Sequence, residues 1–168
     1  QRAADLGSAE AIWFIGSFYE EGTGVEQNYA LALDYYHRAA ELGDADSWMS
    51  LAYFYLRGNG VEANQEQALQ YYEKAASLGS GLACDYLGYL YSTGSLVAQN
   101  TETGLSWYRR AAELGVARSM YALGYAYQCG LGVDFNMEEA LRWYEKAALA
   151  GHATAYQVWK AFTSPVNP

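Results

Sequence analysis

Proline, histidine, cysteine and basic residues are all scarce in this sequence of 168 residues. The two prolines are Pro165 and Pro168, so no earlier position carries the residue that most often interrupts a helix. Lys and Arg number 10 against 19 Asp and Glu, which gives a formal net charge of −9. Nucleic-acid-binding proteins usually carry a basic stripe, so we expect no nucleic-acid partner. An acidic surface would instead suit a basic protein partner.

Long apolar runs are also absent from the sequence. A membrane-spanning helix takes about 18 or more consecutive apolar residues, and no run approaches that length. We therefore expect no direct insertion into a membrane. The first residues, QRAADLG, look like the end of a helix, so we expect the chain to be part of a longer protein. Its cellular compartment stays open.

Side chains that commonly carry catalysis or bind metals are few and scattered. Cys84 and Cys129 would be separated by about 13 Å of helical rise, too far for a disulfide, so we expect two unpaired, partly buried thiols. His37 and His152 stand alone and are interpreted as solvated surface residues. No Cys or His cluster has metal-ligand spacing, and neither cysteine has a histidine nearby. We predict no catalytic residue, no metal site and no cofactor.

Glycine, in contrast, recurs at a fixed interval of 36 residues, from Gly7 to Gly151, at the end of runs such as AAELG and AASLG. A period of this length is typical of a solenoid, in which each repeat packs only against its neighbours. We assign residues 1–162 to one repeat domain, followed by a flexible tail at 163–168. Within the domain, the complete copies are 8–43, 44–79, 80–115 and 116–151, with the end of an earlier copy at 1–7 and a half copy at 152–162.

Each copy contains two helical patterns joined by a glycine turn. One face of the first helix carries an aliphatic residue, usually a glycine, and then a tyrosine, as in Leu123, Gly124 and Tyr127. A glycine inside a helix costs about 1 kcal/mol relative to alanine, so its recurrence predicts close approach of the partner helix. The second helix carries two adjacent aromatic residues and then two alanines, and we expect the rings to fill the space between helices.

The residues that begin and end the helices repeat as well. The turn reads GTGV, GNGV and GLGV in three copies, which predicts left-handed glycine caps. The third copy reads GSLV, and we expect an altered turn there because Leu96 does not readily adopt a positive φ. An asparagine three residues after each valine is predicted to cap the second helix. The predicted caps are Asn28, Asn64, Asn100 and Asn136 for the second helices, and Ser8, Asp44 and Ser80 for the first helices.

The repeat resembles the Sel-1-like repeat, a relative of the tetratricopeptide repeat. The fourth copy carries the resemblance most fully, with ALGYAYQCGLGVDFNMEEALRWYEKAALAG at 122–151, and it extends over essentially all of 1–162. The resemblance implies an all-α fold, a right-handed superhelix (solenoid) of antiparallel helix pairs whose first helices line the concave side. It also implies a non-catalytic adaptor or scaffold, as in bacterial members of the family. Bacterial periplasm and cytoplasm both stay open.

Helical geometry then indicates which side chains would face that concave groove. They lie opposite the face that carries the aliphatic residue, the glycine and the tyrosine. An aromatic-rich groove gives a large contact area at low entropic cost. The alternative is that the same rings pack between neighbouring first helices. The predicted partner-binding residues are Trp13, Phe14, Met49, Tyr53, Arg57, Asp85, Tyr86, Tyr89, Tyr121 and Tyr125.

The function that follows is a non-catalytic protein–protein interaction module that binds a partner protein or peptide in this groove. The alternative implied by the resemblance is an immunity or inhibitor protein that binds and neutralises a toxin or lipase. A structural spacer without a ligand is a third reading. The oligomeric state stays open.

Overall fold

The computed structural model describes residues 8–163, and in this range it contains nine α-helices and no strand. The predicted all-α helical-repeat solenoid is thereby confirmed. Each complete copy contributes a first helix (α1, α3, α5 and α7) and a second helix (α2, α4, α6 and α8), and α9 lies in the half copy. The helices are α1 (Ala9–Glu21), α2 (Tyr29–Glu41), α3 (Ala45–Arg57), α4 (Gln65–Ser77), α5 (Gly81–Thr93), α6 (Thr101–Glu113), α7 (Ala117–Cys129), α8 (Met137–Leu149) and α9 (Ala153–Thr163).

Some predicted segments fall outside the described residues. Residues 1–7, predicted to end an earlier copy, lie outside them, as do residues 164–168 of the predicted tail. Thr163, also assigned to that tail, is instead the last residue of α9. Within the described part of the chain, every helix is too short or too polar to cross a membrane.

The helices belong to two compact units, divided in the sequence between Ala83 and Cys84. In the first unit, α1 packs on α2, α2 on α3 and α3 on α4, around a core that includes Leu51 and Phe54. In the second unit, α6 packs on α7, α7 on α8 and α8 on α9, and Leu123 is fully buried there. Each unit thus shows the nearest-neighbour packing expected of a repeat array.

The glycine inside the first helix makes room for an aromatic ring of the second helix. A Cβ added at Gly88 would lie 2.6 Å from the ring of Tyr108, and one added at Gly124 would lie 2.8 Å from the ring of Tyr144. Real Cβ contacts are not this short, so the ring occupies the space of the missing side chain. The second copy carries Ala52 at this position, and that alanine is fully buried. The predicted close approach of the two helices is confirmed.

The predicted asparagine caps are present in all four copies. Each side chain accepts a hydrogen bond from the backbone N–H three residues ahead, at 2.9–3.0 Å. Each asparagine also donates its own backbone N–H to the carbonyl of the first-helix tyrosine, at 2.7–3.0 Å. One residue therefore begins the second helix and ties the turn to the end of the first helix. The pairs are Asn28 with Tyr19, Asn64 with Tyr55, Asn100 with Tyr91, and Asn136 with Tyr127.

The third turn is altered in its backbone, as predicted, but not in its length. Gly94 ends α5 with φ of 72°, as the first turn glycine does in the other copies. Leu96 replaces the second glycine, and no described residue other than glycine has a positive φ. In the fourth copy that second glycine, Gly132, has φ of 68°, and an added Cβ would lie 2.7 Å from Thr101 of the preceding copy. In the fourth copy the second glycine therefore serves both the turn and the contact between copies.

The cysteines and one histidine have surroundings that the sequence did not indicate. Both cysteines are unpaired as predicted, but Cys84 is fully buried and Cys129 is exposed, so the prediction that both are partly buried is wrong. His152 is not simply solvated. Its ring stacks on Tyr121 with centroids 4.6 Å apart, and its Nδ1 accepts a hydrogen bond from the N–H of Ala155 at 3.2 Å. It therefore caps α9.

Candidate functional site

An exposed tyrosine occupies the same position on three successive first helices. Tyr53 of α3, Tyr89 of α5 and Tyr125 of α7 are 42%, 47% and 48% exposed. The second-helix rings of Tyr36 and Tyr144 are only 1% exposed. The sequence left open whether these rings are accessible in the groove or pack between neighbouring first helices. These three tyrosines are accessible. A partner that covered them would remove apolar surface from water, which is favourable.

The neighbouring column of predicted groove residues, four positions earlier in each copy, contacts the next copy instead. In the first unit, Trp13 Nε1 donates a hydrogen bond to Ser50 Oγ at 3.0 Å. In the same unit, the Ser80 hydroxyl donates to the Met49 sulfur at 3.1 Å. Trp13 and Met49 are half-buried, so only part of each side chain is open to a partner.

In the second unit, Asp85 of the same column is buried, which corrects the expectation that its carboxylate faces a groove. Arg118 of the next copy donates to Asp85 Oδ2 from its Nε at 2.7 Å and also from Nη2. The Ser119 hydroxyl donates to Asp85 Oδ1. The hydrogen bonds from Arg118 to Asp85 are the main cause that raises the pKa of Arg118. The last residue of the column, Tyr121, stacks on His152 of the half copy.

The remaining predicted residues lie beside the exposed tyrosines or at the start of the array. Phe14 is exposed and meets Trp13 edge to face, with centroids 5.0 Å apart. The guanidinium of Arg57 lies 5.6 Å from the ring centroid of Tyr53, one turn earlier on the same helix. Tyr86 is half-buried, and its ring centroid lies 6.3 Å from that of Tyr89.

Two clefts open beside the exposed tyrosines of the second unit. We call the larger, of about 460 Å³, the Tyr125 cleft, and the smaller, of about 250 Å³, the Tyr89 cleft. Arg118, Tyr108 and Ala122 line both clefts. The Tyr125 cleft is also lined by Ser92, Gln99, Thr101, Leu105, Tyr121, Tyr125, Ala126 and the turn at 130–132, and the Tyr89 cleft by Asp85, Tyr86 and Tyr89.

Sequence reasoning missed the part that Tyr108 and Ser92 play in these clefts. Tyr108 belongs to the aromatic pair of α6, which the sequence predicts only to fill space between helices. Burial, reinforced by the negative charge of Asp85, raises the pKa of Tyr108 to about 12, so its hydroxyl keeps its proton at neutral pH. A comparison of the copies could have pointed to Ser92, because the first and fourth copies carry the longer side chains of Glu20 and Gln128 at the same position.

Comparison with known proteins identifies relatives of the whole chain. The family model described as Sel1 repeat matches residues 9–44, 49–80, 81–116 and 117–152. Repeats of this kind typically mediate protein–protein interaction, and their fold is a non-catalytic scaffold. No curated protein matches the chain in sequence.

Three solved structures are similar to the chain. A Sel1 repeat protein from Oxalobacter formigenes is 32% identical with a TM-score of 0.86, and the match covers 95% of this chain and 65% of that protein. A protective antigen present in uropathogenic Escherichia coli strains, described as displaying an SLR fold, is 33% identical with a TM-score of 0.79, over 99% of this chain and 36% of the antigen. Helicobacter pylori cysteine rich protein B is 30% identical with a TM-score of 0.62, over 82% of this chain and 98% of that protein. The chain therefore spans less than two thirds of the first two relatives.

Proposed function

Because the chain belongs to the Sel1 repeat family, whose repeats typically mediate protein–protein interaction, we propose that it binds a protein or peptide through the exposed aromatic side of its first helices. The observation that carries this proposal is the exposure of a tyrosine at the same position of three first helices. Tyr53, Tyr89 and Tyr125 are each close to half exposed, whereas Tyr36 and Tyr144 are buried. Tyrosine is among the residues that contribute most to binding at protein interfaces.

The second unit offers the better-formed surface for this role. Tyr89 and Tyr125 each border a cleft, and Arg118 lines both clefts. Arg118 is held by Asp85 and therefore presents its guanidinium in a fixed position. Ordered side chains lose little conformational freedom on binding, which favours affinity.

The first unit carries an exposed aromatic surface of its own. Phe14 and Tyr53 are exposed, and Arg57 lies against the Tyr53 ring. Arg and aromatic residues are enriched at protein interfaces relative to the rest of the surface. The formal net charge of −9 favours a partner with basic residues around its contact surface.

A capture experiment with matched variants tests the proposal. The full chain and the double variant Tyr89→Ala with Tyr125→Ala are used to recover partners from an extract of the source organism, and the recovered proteins are quantified by mass spectrometry. We expect at least one protein recovered by the wild type to be lost with the double variant, because two interface tyrosines together contribute about 2 kcal/mol or more.

The control replaces two side chains that are even more exposed but lie off the first helices, Phe135→Ala with Leu149→Ala. This pair should leave the recovery unchanged. If both double variants recover the same proteins as the wild type, the assignment to the first helices is wrong. The inhibitor alternative predicts a single protein recovered in equal amount to the bait, and the same data measure that ratio.

A further inference from the structure

The Tyr125 cleft lies beside a part of the third copy that carries smaller side chains than its neighbours at two positions. Ser92 stands where the fourth copy has Gln128, and Gly104 stands where it has Ala140. The two departures match each other, because a Cβ added at Gly104 would collide with the Ser92 hydroxyl. The Ser92 hydroxyl takes the place of the missing methyl group, and the loss of the long side chain leaves space beside Tyr108.

In two other copies, the long side chain at this position meets the hydroxyl of the buried tyrosine. The Tyr36 hydroxyl donates a hydrogen bond to Glu20, and the Tyr144 hydroxyl donates to Gln128 Oε1 at 2.5 Å. In the third copy the short side chain of Ser92 replaces that long acceptor, and Tyr108 lines the cleft that is left. A ligand group in the cleft can therefore meet the Tyr108 hydroxyl as Gln128 meets the Tyr144 hydroxyl, and a hydrogen bond made there would strengthen binding.

The walls of the Tyr125 cleft are apolar and nearly neutral. Leu105 and Leu131 contribute aliphatic surface, and Tyr121 and Tyr125 contribute rings. Its charged lining residue, Arg118, is compensated by the carboxylate of Asp85. Because that charge is already paired, neither a cation nor an anion gains a free counter-ion there, and a neutral ligand suits the cleft better. Its volume of about 460 Å³ lies within the range of sites that hold a compact organic group.

From this combination we infer that the Tyr125 cleft receives a neutral aromatic side chain with a hydrogen-bonding tip, tyrosine or tryptophan, from the bound partner. The ring packs against the walls formed by Leu105, Tyr121 and Tyr125. The hydroxyl or indole N–H reaches the hydroxyl of Tyr108. Anchor residues of this kind, seated in a pocket, dominate binding at many interfaces. The inference rests on the proposed function, since it names the residue that the partner contributes.

Selection from a random peptide library displayed on phage tests this inference and does not require the partner to be identified. The bait is the full chain, and the competitor in a second selection is the variant Ser92→Gln. We expect the peptides selected by the wild type to share a tyrosine or a tryptophan. Replacing that residue by alanine in a synthetic peptide should weaken binding by about tenfold or more, and replacing tyrosine by phenylalanine should weaken it by a smaller factor.

Ser92→Gln fills the cleft with a side chain that the protein already accommodates, because Gln128 fits in the same place beside the larger Ala140. The variant should keep its thermal stability and lose the selected peptides. Ser106→Gln, an exposed serine on α6 that does not line the cleft, is the matched control and should keep them.

The outcomes separate this inference from the proposed function. Peptides that depend on Tyr89 and Tyr125, but share no aromatic residue or bind Ser92→Gln as tightly as the wild type, would overturn the anchor and leave the proposed function standing. Recovery of no peptide at all would count against both. Binding of free N-acetyltyrosinamide as tight as that of the peptides would identify a small-molecule site and would also overturn the anchor.

Discussion

At one position of the first helix, the side chain contacts the next copy, and the kind of contact differs from copy to copy. Trp13 donates a hydrogen bond to Ser50, whereas Asp85 accepts hydrogen bonds from Arg118 and Ser119. The position is therefore fixed by the geometry of the stack, while the residue that fills it is free to vary. Of the two residues, Asp85 carries a formal charge and is buried. The buried charge is tolerated because the next copy supplies its partners.

Removal of Arg118 should therefore destabilise the chain more than removal of an arginine on the surface. In Arg118→Met, the buried carboxylate of Asp85 loses its cationic partner and keeps the hydroxyl of Ser119. We expect a loss of about 1–3 kcal/mol in the free energy of unfolding. Urea unfolding followed by circular dichroism measures this. The control is Arg142→Met, which breaks exposed pairs with Glu138 and Glu139 within one helix and should cost less than about 1 kcal/mol. Equal effects of the two substitutions would contradict the role given to Asp85.

The raised pKa values of two tyrosines also predict that the free energy of unfolding falls at alkaline pH. Burial raises the pKa of Tyr144 to about 12, above the ordinary value of 10.0, and it is likewise the main cause that raises the pKa of Tyr108 to about 12. The folded state thus favours the protonated phenol. This stabilisation is complete below the unfolded-state pKa of about 10 and is lost as the pH rises through the folded-state value. We expect the thermal midpoint to fall between about pH 10 and pH 12, and to fall less steeply in Tyr144→Phe. An identical slope in the variant would show that Tyr144 does not contribute.

At the scale of helices, each element begins and ends by local rules that recur in every copy, with one exception. Ser8 and Asp44 cap α1 and α3 through their side chains, and Ser80 accepts a hydrogen bond from the N–H of Ala83 in α5. Val116 begins α7 without a side-chain cap, although its φ of −74° and ψ of 104° are close to those of Ser8. The backbone at this helix start is already suited to a capping residue.

Val116→Ser should therefore stabilise the chain. The new hydroxyl can accept a hydrogen bond from the backbone N–H of Ser119, as the side chain of Asp44 does for Ser47, and we expect a gain of about 0.5–1 kcal/mol. Differential scanning calorimetry of the variant measures the rise in the melting temperature. Val116→Ala serves as the control, because it removes the same side chain without adding an acceptor. A variant with serine no more stable than the one with alanine would contradict this account of the cap.

The caps, the turn glycines and the helix pairs followed from the sequence because each depends on residues close together in the chain. Asn136, for example, needs only the backbone three residues ahead. The sequence could not predict which groove side chains are exposed and which contact the next copy, because this depends on the residue that the next copy supplies. Asp85 and Tyr89 lie four residues apart on one helix face, yet only Asp85 finds partners on α7 that bury it. The position of the Ser92 hydroxyl likewise depends on the side chain that α6 lacks at Gly104.

At the scale of the whole molecule, repetition determines the fold and variation between copies determines the surface. The second-helix rings of Tyr36, Tyr72 and Tyr144 are buried at the same position of their copies, so they contribute to stability. Tyr53, Tyr89 and Tyr125 stay exposed, and a cleft opens beside Tyr125 where the third copy departs from its neighbours. Function depends on such site residues rather than on the fold alone, so we expect the partner to contact them.

The central claim is that the partner contacts the exposed aromatic side of the first helices, and site-specific photo-crosslinking tests it most directly. A photoreactive phenylalanine analogue is placed at Tyr89 in one sample and at Glu145 in another, since Glu145 is exposed on the second helix α8. After irradiation in an extract of the source organism, we expect a crosslinked partner from position 89 and none from position 145. A partner crosslinked from position 145 and not from position 89 would contradict the account.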